Sequence, residues 1–340
     1  RLWFLHRFEP DSPVYNIPTR VGLSGTLAPA ALNAALNAVV RRHEALRTRF
    51  AEDVGEPVQV VEPALSVELP MIDLGRLAAG VRRRELRRLA DAEALRPFDL
   101  AAAPLLRAVL LRLEPQEHGL LLTIHHIIAD GWSLGVLVRE LAACYAAGVE
   151  GRPPQLAALP IQYPDFALWQ RQWLTGAVLE QQLGYWKAKL DGTAPVLELP
   201  GDRPRPAVPS FRGGRCRARL PAAVTAEIER FAKATDSTPF MVLAAAFKAL
   251  LYRYTRQRDL WIGTPIANRE RLSVEALIGF FVNTLVLRTD LRGELSFREL
   301  LGRVRVGARE AFDHQDLPFE MLVEELQPER DLNRSPLFQV

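Results

Sequence analysis

The residues with the clearest chemical potential lie in one short stretch, where two adjacent histidines precede an aspartate and a glycine. His125 and His126 stand near the end of an apolar run over residues 120–128, and Asp130 and Gly131 follow. Because side chains alternate along a strand, the two imidazoles are predicted to point to opposite faces and to have different tasks. A buried histidine at a strand end, beside a helix N-terminus, suits acid–base chemistry or the stabilisation of an anion.

Several interpretations of this stretch stay open on spacing alone. A histidine in an apolar strand is often a hydrogen-bonded core residue, and Asp130 could serve only as the N-cap of the next helix. A metal site is less favoured, because adjacent strand residues diverge and the nearest other histidine, His118, falls at the far end of the strand. The catalytic and the structural interpretation are about equally supported by the residues themselves.

The surrounding sequence predicts the elements that would position these residues. Both alternating sets of residues 120–128 are largely apolar, which predicts a strand covered on both faces. A strand over residues 105–113 is its expected neighbour. An apolar stripe at helical spacing predicts a core helix after Asp130; its members are Leu134, Leu137, Val138, Leu141 and Cys144. Strands alternate with helices throughout, so the predicted class is α/β or α+β.

Residues 41–50 form a second polar segment, at the end of a helix predicted from Pro29. Arg42 and Arg47 flank a histidine and a glutamate there. Basic side chains are favoured at a helix C-terminus by the helix dipole, which is the simpler interpretation. The alternative is that these arginines reach inward to a carboxylate.

Frequent proline and glycine after residue 190 mark a linker. We therefore expect an N-terminal lobe over residues 1–190, a linker over 191–212 and a C-terminal lobe over 213–340. The second lobe is predicted to open with a strand over residues 214–220.

Two further features stand out in the second half. Residues 238–254 are apolar nearly all round, which predicts a buried helix. Asn283 interrupts an apolar run, so its amide should either bridge backbone groups or face a cleft.

Composition narrows the classes of function. The chain has 340 residues, is 49% hydrophobic and carries a net charge of +3, which fits about two globular domains. No apolar run reaches the ~18 residues that a transmembrane helix needs. The basic cluster at residues 82–88 is interpreted as the solvated face of an amphipathic helix, because a nucleic-acid site would interleave aromatic residues; it could attract an acidic protein. Cys144 and Cys216 form no motif, which fits a reducing cytoplasm.

Taken together, these stretches resemble the condensation domain of nonribosomal peptide synthetases. The family's His-His-x-x-x-Asp-Gly signature is matched by His125, His126, Asp130 and Gly131, with Ala129 where serine is frequent. The other signatures are matched in the family's order by residues 1–5, 42–50, 163–169, 278–288, 314–320 and 330–337. The chain begins inside the first signature and stops soon after the last, so it is interpreted as a fragment with an incomplete C-terminal lobe.

The resemblance implies a chloramphenicol-acetyltransferase-like fold, in which two α+β sandwich lobes form a V with a tunnel between them. An upstream and a downstream peptidyl carrier domain would deliver phosphopantetheine arms, and an adenylation domain would be a neighbour. The implied reaction is attack of the acceptor's α-amine on the donor thioester, which forms an amide in secondary-metabolite synthesis. No cofactor of its own, no metal, and no nucleic-acid or membrane partner is implied.

The same resemblance implies roles for the signature residues. His126 would face the cleft and either accept a proton from the amine or orient it, whereas His125 would pack on the other side. Asp130 would form an ion pair with an arginine, for which Arg288 and Arg47 are the candidates.

The remaining implied positions surround this core. Gly131 would allow close backbone approach and offer its N–H to the oxyanion. Asn283, from the other lobe, would line the tunnel. Supporting positions are Arg42, Trp132 and Ser133.

Rival functions remain within and outside the superfamily. The order Trp132 then Ser133 argues against an epimerisation domain, and a heterocyclising relative would carry aspartates instead of the histidines. An ester-forming acyltransferase could use the same histidine. A non-catalytic docking platform for carrier proteins would lack the second histidine, which is present as His126. Residues 1–5, 15–18 and 202–206 resemble the subtype that joins an L-configured donor to an L-configured acceptor.

Overall fold

The computed structural model describes residues 2–192, 195–202, 213–214, 216–327 and 335–340. These residues form two compact units. The first unit comprises residues 2–172 with Arg269–Phe281, and the second comprises the described parts of Trp173–Asn268 and Val282–Val340. Both units combine helices with strands, so the predicted mixed α/β class is confirmed.

The secondary structure alternates along the chain. The strands are β1 (Asn16–Ser24), β2 (Thr48–Asp53), β3 (Glu56–Val61), β4 (Met71–Asp73), β5 (Leu106–Glu114), β6 (Glu117–His125), β7 (Asp259–Ile266) and β8 (Asn283–Asp290). The helices are α1 (Leu2–Phe8), α2 (Pro29–Arg42), α3 (Ala79–Leu95), α4 (Gly131–Val149), α5 (Tyr163–Trp173), α6 (Gly176–Lys189), α7 (Ala222–Ala234), α8 (Pro239–Thr255), α9 (Leu272–Glu275), α10 (Phe297–Asp313) and α11 (Phe319–Leu326).

The sheet of the first unit has the order β1-β6-β5-β4. Strand β6 is antiparallel to both β1 and β5, whereas β4 is parallel to β5. The predicted pairing of residues 105–113 with the histidine strand is therefore confirmed. Strands β2 and β3 form a separate antiparallel pair.

Strand β6 is covered on both faces, as predicted. Leu120 and Ile124 belong to the main core of the first unit, together with residues of α2 and α4. Leu121 points the other way and lies in a smaller cluster with Leu86 and Leu89 of α3. Because β6 occupies an inner position of the sheet, its C-terminal end holds the histidine pair on a rigid support.

Helix α4 carries the predicted apolar stripe into the core, where Leu137, Leu141 and Cys144 are buried. It has 19 residues, and among the described residues it is the one helix long and apolar enough to cross a membrane. Core helices often share this character, and α4 contributes to the main core of the first unit.

In the second unit, β7 and β8 form an antiparallel pair. Helix α10 begins with a capping box of Ser296 and Glu299, and the side chain of Thr238 caps α8. Lys248 of α8 is fully buried, and its Nζ donates to the carbonyl of Leu287 at 2.6 Å and lies 2.7 Å from Thr289 Oγ1. The Lys248 amine is therefore held by uncharged oxygens.

Three local predictions are wrong. Helix α2 ends at Arg42 because His43 is extended, and a short 3-10 helix, Glu44–Arg47, leads from there to β2. Residues 216–220 form no strand. The helix predicted as buried, α8, keeps one apolar face exposed; its members, each 38–63% exposed, are Phe240, Leu243, Phe247, Leu250 and Tyr254.

The compact units also differ from the predicted lobes. Helix α6 belongs to the second unit although it precedes residue 190, and Arg269–Phe281 belongs to the first. Of the predicted linker, residues 195–202 form neither helix nor strand. Residues 193–194 and 203–212 lie outside the described residues, as do residues 1 and 330–334 of the signature matches.

Candidate active site

His126 is the first residue after β6 and is half-buried. Its backbone N–H donates to the carbonyl of Tyr15 at 2.8 Å. Its ring Nδ1 lies 2.9 Å from the carbonyl oxygen of Ala129, and since a carbonyl only accepts, Nδ1 carries the proton. Nε2 then has a free lone pair when the imidazole is neutral. No described residue forms a hydrogen bond with Nε2, so this nitrogen is available to a reacting group.

His125 has a different set of neighbours from His126. Its side chain is buried, its Nδ1 accepts from the backbone N–H of Ile127 at 3.1 Å, and the rings of His6, Tyr15 and Phe98 surround it at 6.0–6.3 Å between centroids. Burial lowers the pKa of His125 to about 4, and the nearby His6 and His126 act in the same direction. His125 is therefore a neutral packing residue that fixes the turn after β6.

Asp130 is buried and acts as the N-cap of α4. Its Oδ1 accepts from the backbone N–H of Ser133 at 2.8 Å, and its Oδ2 accepts from the backbone N–H of Phe281 at 3.0 Å. Nη2 of Arg269 donates to the same carboxylate at 3.2 Å. The carboxylate is thus occupied by protein donors and holds the signature turn against Arg269–Phe281.

The predicted ion pair of Asp130 is confirmed in kind, but the predicted partners are wrong. Arg288 pairs instead with Asp259 at 2.8 Å. Arg47 pairs with Glu44 at 3.2 Å. The actual partner is Arg269, whose Nη1 also donates to the carbonyls of Val274 and Leu277, both at 2.7 Å.

The three residues after Asp130 differ in their environment. Ser133 is buried, and its Oγ lies 2.8 Å from Asp130 Oδ1 and accepts from the backbone N–H of Gly279 at 3.1 Å. Trp132 is exposed and donates its indole N–H to the carbonyl of Glu275 at 2.8 Å. Gly131 is exposed, and an added Cβ would meet no atom within 4 Å. Ser133 and Trp132 therefore attach α4 to Arg269–Phe281.

Arg42 follows the inward alternative rather than serving as a solvated helix end. Its Nε donates to Glu140 of α4 at 3.1 Å, and Nε2 of the buried His43 lies 2.8 Å from the same carboxylate. Burial opposes the ionisation of Glu140, but His43 and Arg42 outweigh it and lower the pKa of Glu140. His43 Nδ1 accepts from the backbone N–H of Ile278 at 3.3 Å, so this network also holds Arg269–Phe281.

Asn283 bridges backbone groups within the second unit. Its Nδ2 donates to the carbonyls of Gln315 and Leu317, both at 2.8 Å, and its Oδ1 accepts from the backbone N–H groups of Phe319 and Thr284. All four hydrogen-bonding positions of the amide are occupied. The first of its two predicted alternatives is confirmed, and the expectation that Asn283 lines the tunnel stays a prediction.

Phe280 brings an aromatic ring to His126. The two rings are 5.2 Å apart between centroids and almost perpendicular, at 85°. The carbonyl of Phe280 accepts from the hydroxyl of Tyr163 at 2.9 Å. Beside it, Gly279 leaves room for the Tyr163 ring, because an added Cβ would lie only 2.2 Å from Tyr163 Cδ2.

Sequence reasoning missed Arg269, Phe280 and Glu140. Glu140 had a detectable signal, because a charged residue stands at a core phase of the α4 stripe. Arg269 had none, because its contact depends on a segment distant in sequence. Phe280 lies within the 278–288 signature match, but its contact with His126 depends on tertiary packing. Among the described residues, no three His, Cys, Asp or Glu side chains are grouped so that they could hold a metal ion.

The chain is similar to known proteins over its whole length. The family model "Condensation domain" matches residues 1–340. One of the linear gramicidin synthase proteins of Brevibacillus parabrevis is 52% identical over the entire chain, which covers 4% of that protein. Phosphinothricin tripeptide synthetase PhsC of Streptomyces viridochromogenes is 46% identical, and the chain covers 31% of it. The chain thus spans a small part of these relatives.

Solved structures agree with this similarity. The X-domain from teicoplanin biosynthesis is 34% identical with a TM-score of 0.88, and the match covers 99% of this chain and 74% of that one. The same X-domain is also known in a complex with OxyB. The first condensation domain of the calcium-dependent antibiotic synthetase is 27% identical with a TM-score of 0.78, over 96% of this chain and 76% of that one.

Fold, signature geometry and similarity agree on the class of protein. The chain belongs to the condensation-domain family of nonribosomal peptide synthetases. Its fold is the chloramphenicol-acetyltransferase-like fold of that family.

Proposed function

We propose that this condensation domain forms an amide between two carrier-bound substrates and that His126 is its catalytic residue. The acceptor's α-amine would attack the carbonyl carbon of the donor thioester, so that a C–N bond forms and the C–S bond breaks. The amine proton passes to Nε2 of His126 and then to the departing thiolate. The observation that supports this role is the fixed tautomer, in which Ala129 holds Nδ1–H and Nε2 is unoccupied.

The other signature residues would act through position. Asp130 is occupied by Ser133, Phe281 and Arg269, so it fixes the turn and does not exchange protons with substrate. Gly131 begins a helix of 19 residues, and its N–H lies at the positive end of the helix dipole. This N–H is the proposed donor to the oxyanion of the tetrahedral intermediate.

The substrates would arrive on phosphopantetheine arms of an upstream and a downstream carrier domain, in a synthetase that also contains an adenylation domain. Relatives such as the gramicidin synthase proteins are far longer than this chain, which agrees with a multidomain assembly. The L-donor and L-acceptor subtype and a cytoplasmic location stay predictions.

The experiment uses the full-length protein that contains this chain. A donor carrier is loaded with one L-aminoacyl thioester and an acceptor carrier with another, and the acceptor carrier is followed by intact mass. The expected product is an acceptor carrier whose mass has increased by one L-aminoacyl unit. After release from the carrier, tandem mass spectrometry should show that an amide bond joins the two residues. An ester bond in the product would show that the domain forms esters and not amides. Inversion of the donor α-carbon without coupling would show that it is an epimerisation domain.

A docking platform is the second candidate, because the structurally similar X-domain is known in a complex with OxyB. A fold of this kind can therefore hold a partner protein. Carriers that bind without forming any product, with several substrate pairs, would favour this candidate over catalysis.

A further inference from the structure

Phe280 is the one described aromatic residue whose ring packs against the imidazole of His126, at 5.2 Å and 85°. It is half-buried, as His126 is. Perpendicular aromatic pairs at this separation attract each other through their quadrupoles as well as through buried area. The contact therefore restrains the orientation of the imidazole.

The backbone on both sides of Phe280 is fixed by buried groups. Gly279 donates to Ser133 Oγ at 3.1 Å, and Phe281 donates to Asp130 Oδ2 at 3.0 Å. The carbonyl of Phe280 itself accepts from Tyr163 at 2.9 Å. Burial raises the pKa of Tyr163, so its hydroxyl stays a donor at any physiological pH. Phe280 is thus held on a rigid support.

His126 needs such a restraint. Rotation of the imidazole out of its plane about the Cβ–Cγ bond would carry Nδ1 away from the carbonyl of Ala129 and weaken that hydrogen bond, and it would also change the perpendicular packing on Phe280. That hydrogen bond is the only one to a ring nitrogen of His126 among the described residues. The perpendicular ring of Phe280 provides a second, independent contact that acts on the same rotation.

We propose that Phe280 is a positioning residue for His126, whose ring keeps Nδ1–H on the carbonyl of Ala129 and Nε2 toward the reacting amine. This inference rests on the proposed function for its effect on rate. Its effect on the tautomer does not depend on that function.

The experiment combines NMR of 15N-histidine-labelled protein with coupling kinetics. Phe280→Leu removes the ring and keeps an apolar side chain of similar volume. Phe280→Tyr restores an aromatic ring. Phe98→Leu is the matched control, because Phe98 packs against His125 at 6.0 Å and not against His126. The amide exchange of Phe281 shows whether the segment has kept its fold.

In wild type and in Phe280→Tyr, the His126 signals should be those of a protonated Nδ1 and an unprotonated Nε2. In Phe280→Leu they should shift toward a mixture of tautomers, and kcat for coupling should fall about 10- to 100-fold, with KM for both carriers unchanged. Phe98→Leu should leave the His126 signals as they are in wild type.

Unchanged His126 signals in a folded Phe280→Leu variant would overturn the proposal, whatever happens to the rate. The proposal would also be overturned if Phe280→Tyr, which keeps an aromatic ring, lost as much coupling rate as Phe280→Leu. If the wild-type protein forms no amide but Phe280→Leu still shifts the His126 tautomer, the positioning role is supported and the proposed function is rejected. The two failures are therefore distinguishable.

Discussion

Replacing Arg269 by methionine tests the anchoring of the signature turn. The Arg269 and Asp130 side chains are only 1% and 3% exposed. Burial lowers the pKa of Arg269, and the charge of Asp130 offsets part of that effect. Removing one member of a buried ion pair leaves an uncompensated charge and destabilises a protein by about 3–5 kcal/mol.

The lower end of that range is expected for Arg269→Met. After the change, the Asp130 carboxylate keeps the hydrogen bonds from Ser133 and Phe281, so its charge is still partly compensated. A loss of about 3 kcal/mol corresponds to roughly 100-fold more frequent opening. The assay is native-state hydrogen exchange at the backbone amides of Ser133, Gly279 and Phe281, all of which donate within this network.

The matched control is Arg271→Met, in the same segment. Arg271 is exposed and stacks over the ring of Trp169 at 4.3 Å, a contact worth about 1 kcal/mol or less. In Arg271→Met, the exchange rates of the same three backbone amides should stay within a few-fold of wild type. Equal protection of the three amides in Arg269→Met and Arg271→Met would refute the reasoning.

Three further predictions concern other buried groups. Gly279→Ala should destabilise the first unit by about 2 kcal/mol or more, because the added Cβ would overlap Tyr163. The control is Gly302→Ala, in open space on α10, which should stabilise the protein by about 0.5–1 kcal/mol. Equal midpoints of thermal unfolding for the two variants would contradict this prediction. Burial lowers the pKa of His125 to about 4 in the folded state. As pH falls from 6.5 to 4, the unfolded chain therefore binds a proton before the folded protein does, and the free energy of unfolding should decrease by up to about 3 kcal/mol. The test is urea unfolding over this pH range, and an equally steep decrease with pH in His125→Gln would exclude His125 as its origin. Burial lowers the pKa of Lys248 to about 7. As pH rises, the folded protein therefore releases this proton before the unfolded chain does, and the free energy of unfolding of the second unit should rise between pH 7 and 10 by up to about 4 kcal/mol. Lys248→Met should remove that rise in stability, and a rise that persists in Lys248→Met would show that other groups cause it.

The local part of the site could be predicted from the sequence because it depends on short-range rules. Alternation along a strand predicted different surroundings for His125 and His126, and their ring neighbours do differ. The position of Asp130 before α4 indicated a possible helix cap, whereas its ion pair with an arginine was expected from the family resemblance. The apolar phase of α4 was also correct, because its pattern repeats over several turns.

The long-range part could not be predicted. The partner of Asp130 lies 139 positions away, in a segment that leaves β7 and packs on α4 of the first unit. Arg288 and Arg47 were equally plausible as cations, and only the fold decides among three arginines. Phe280 had the same disadvantage, because its neighbour His126 is brought to it by tertiary packing.

Asn283 and α8 illustrate two different limits. A buried amide in a strand can serve the backbone or a cleft, and sequence alone gives no means to choose; here it serves the backbone. Helix α8 is apolar nearly all round, but burial also depends on what surrounds it. In the described residues of the second unit, the face that includes Phe247 stays exposed.

The most direct test of the central claim is the single-turnover rate of amide formation in His126→Ala, measured by intact mass of the acceptor carrier. His118→Ala is the matched control, because His118 is buried at the opposite end of the same strand. A general base contributes about 10²- to 10⁴-fold, so the rate should fall by that factor in His126→Ala and stay near wild type in His118→Ala. A folded His126→Ala variant that forms the amide as fast as His118→Ala would contradict the account.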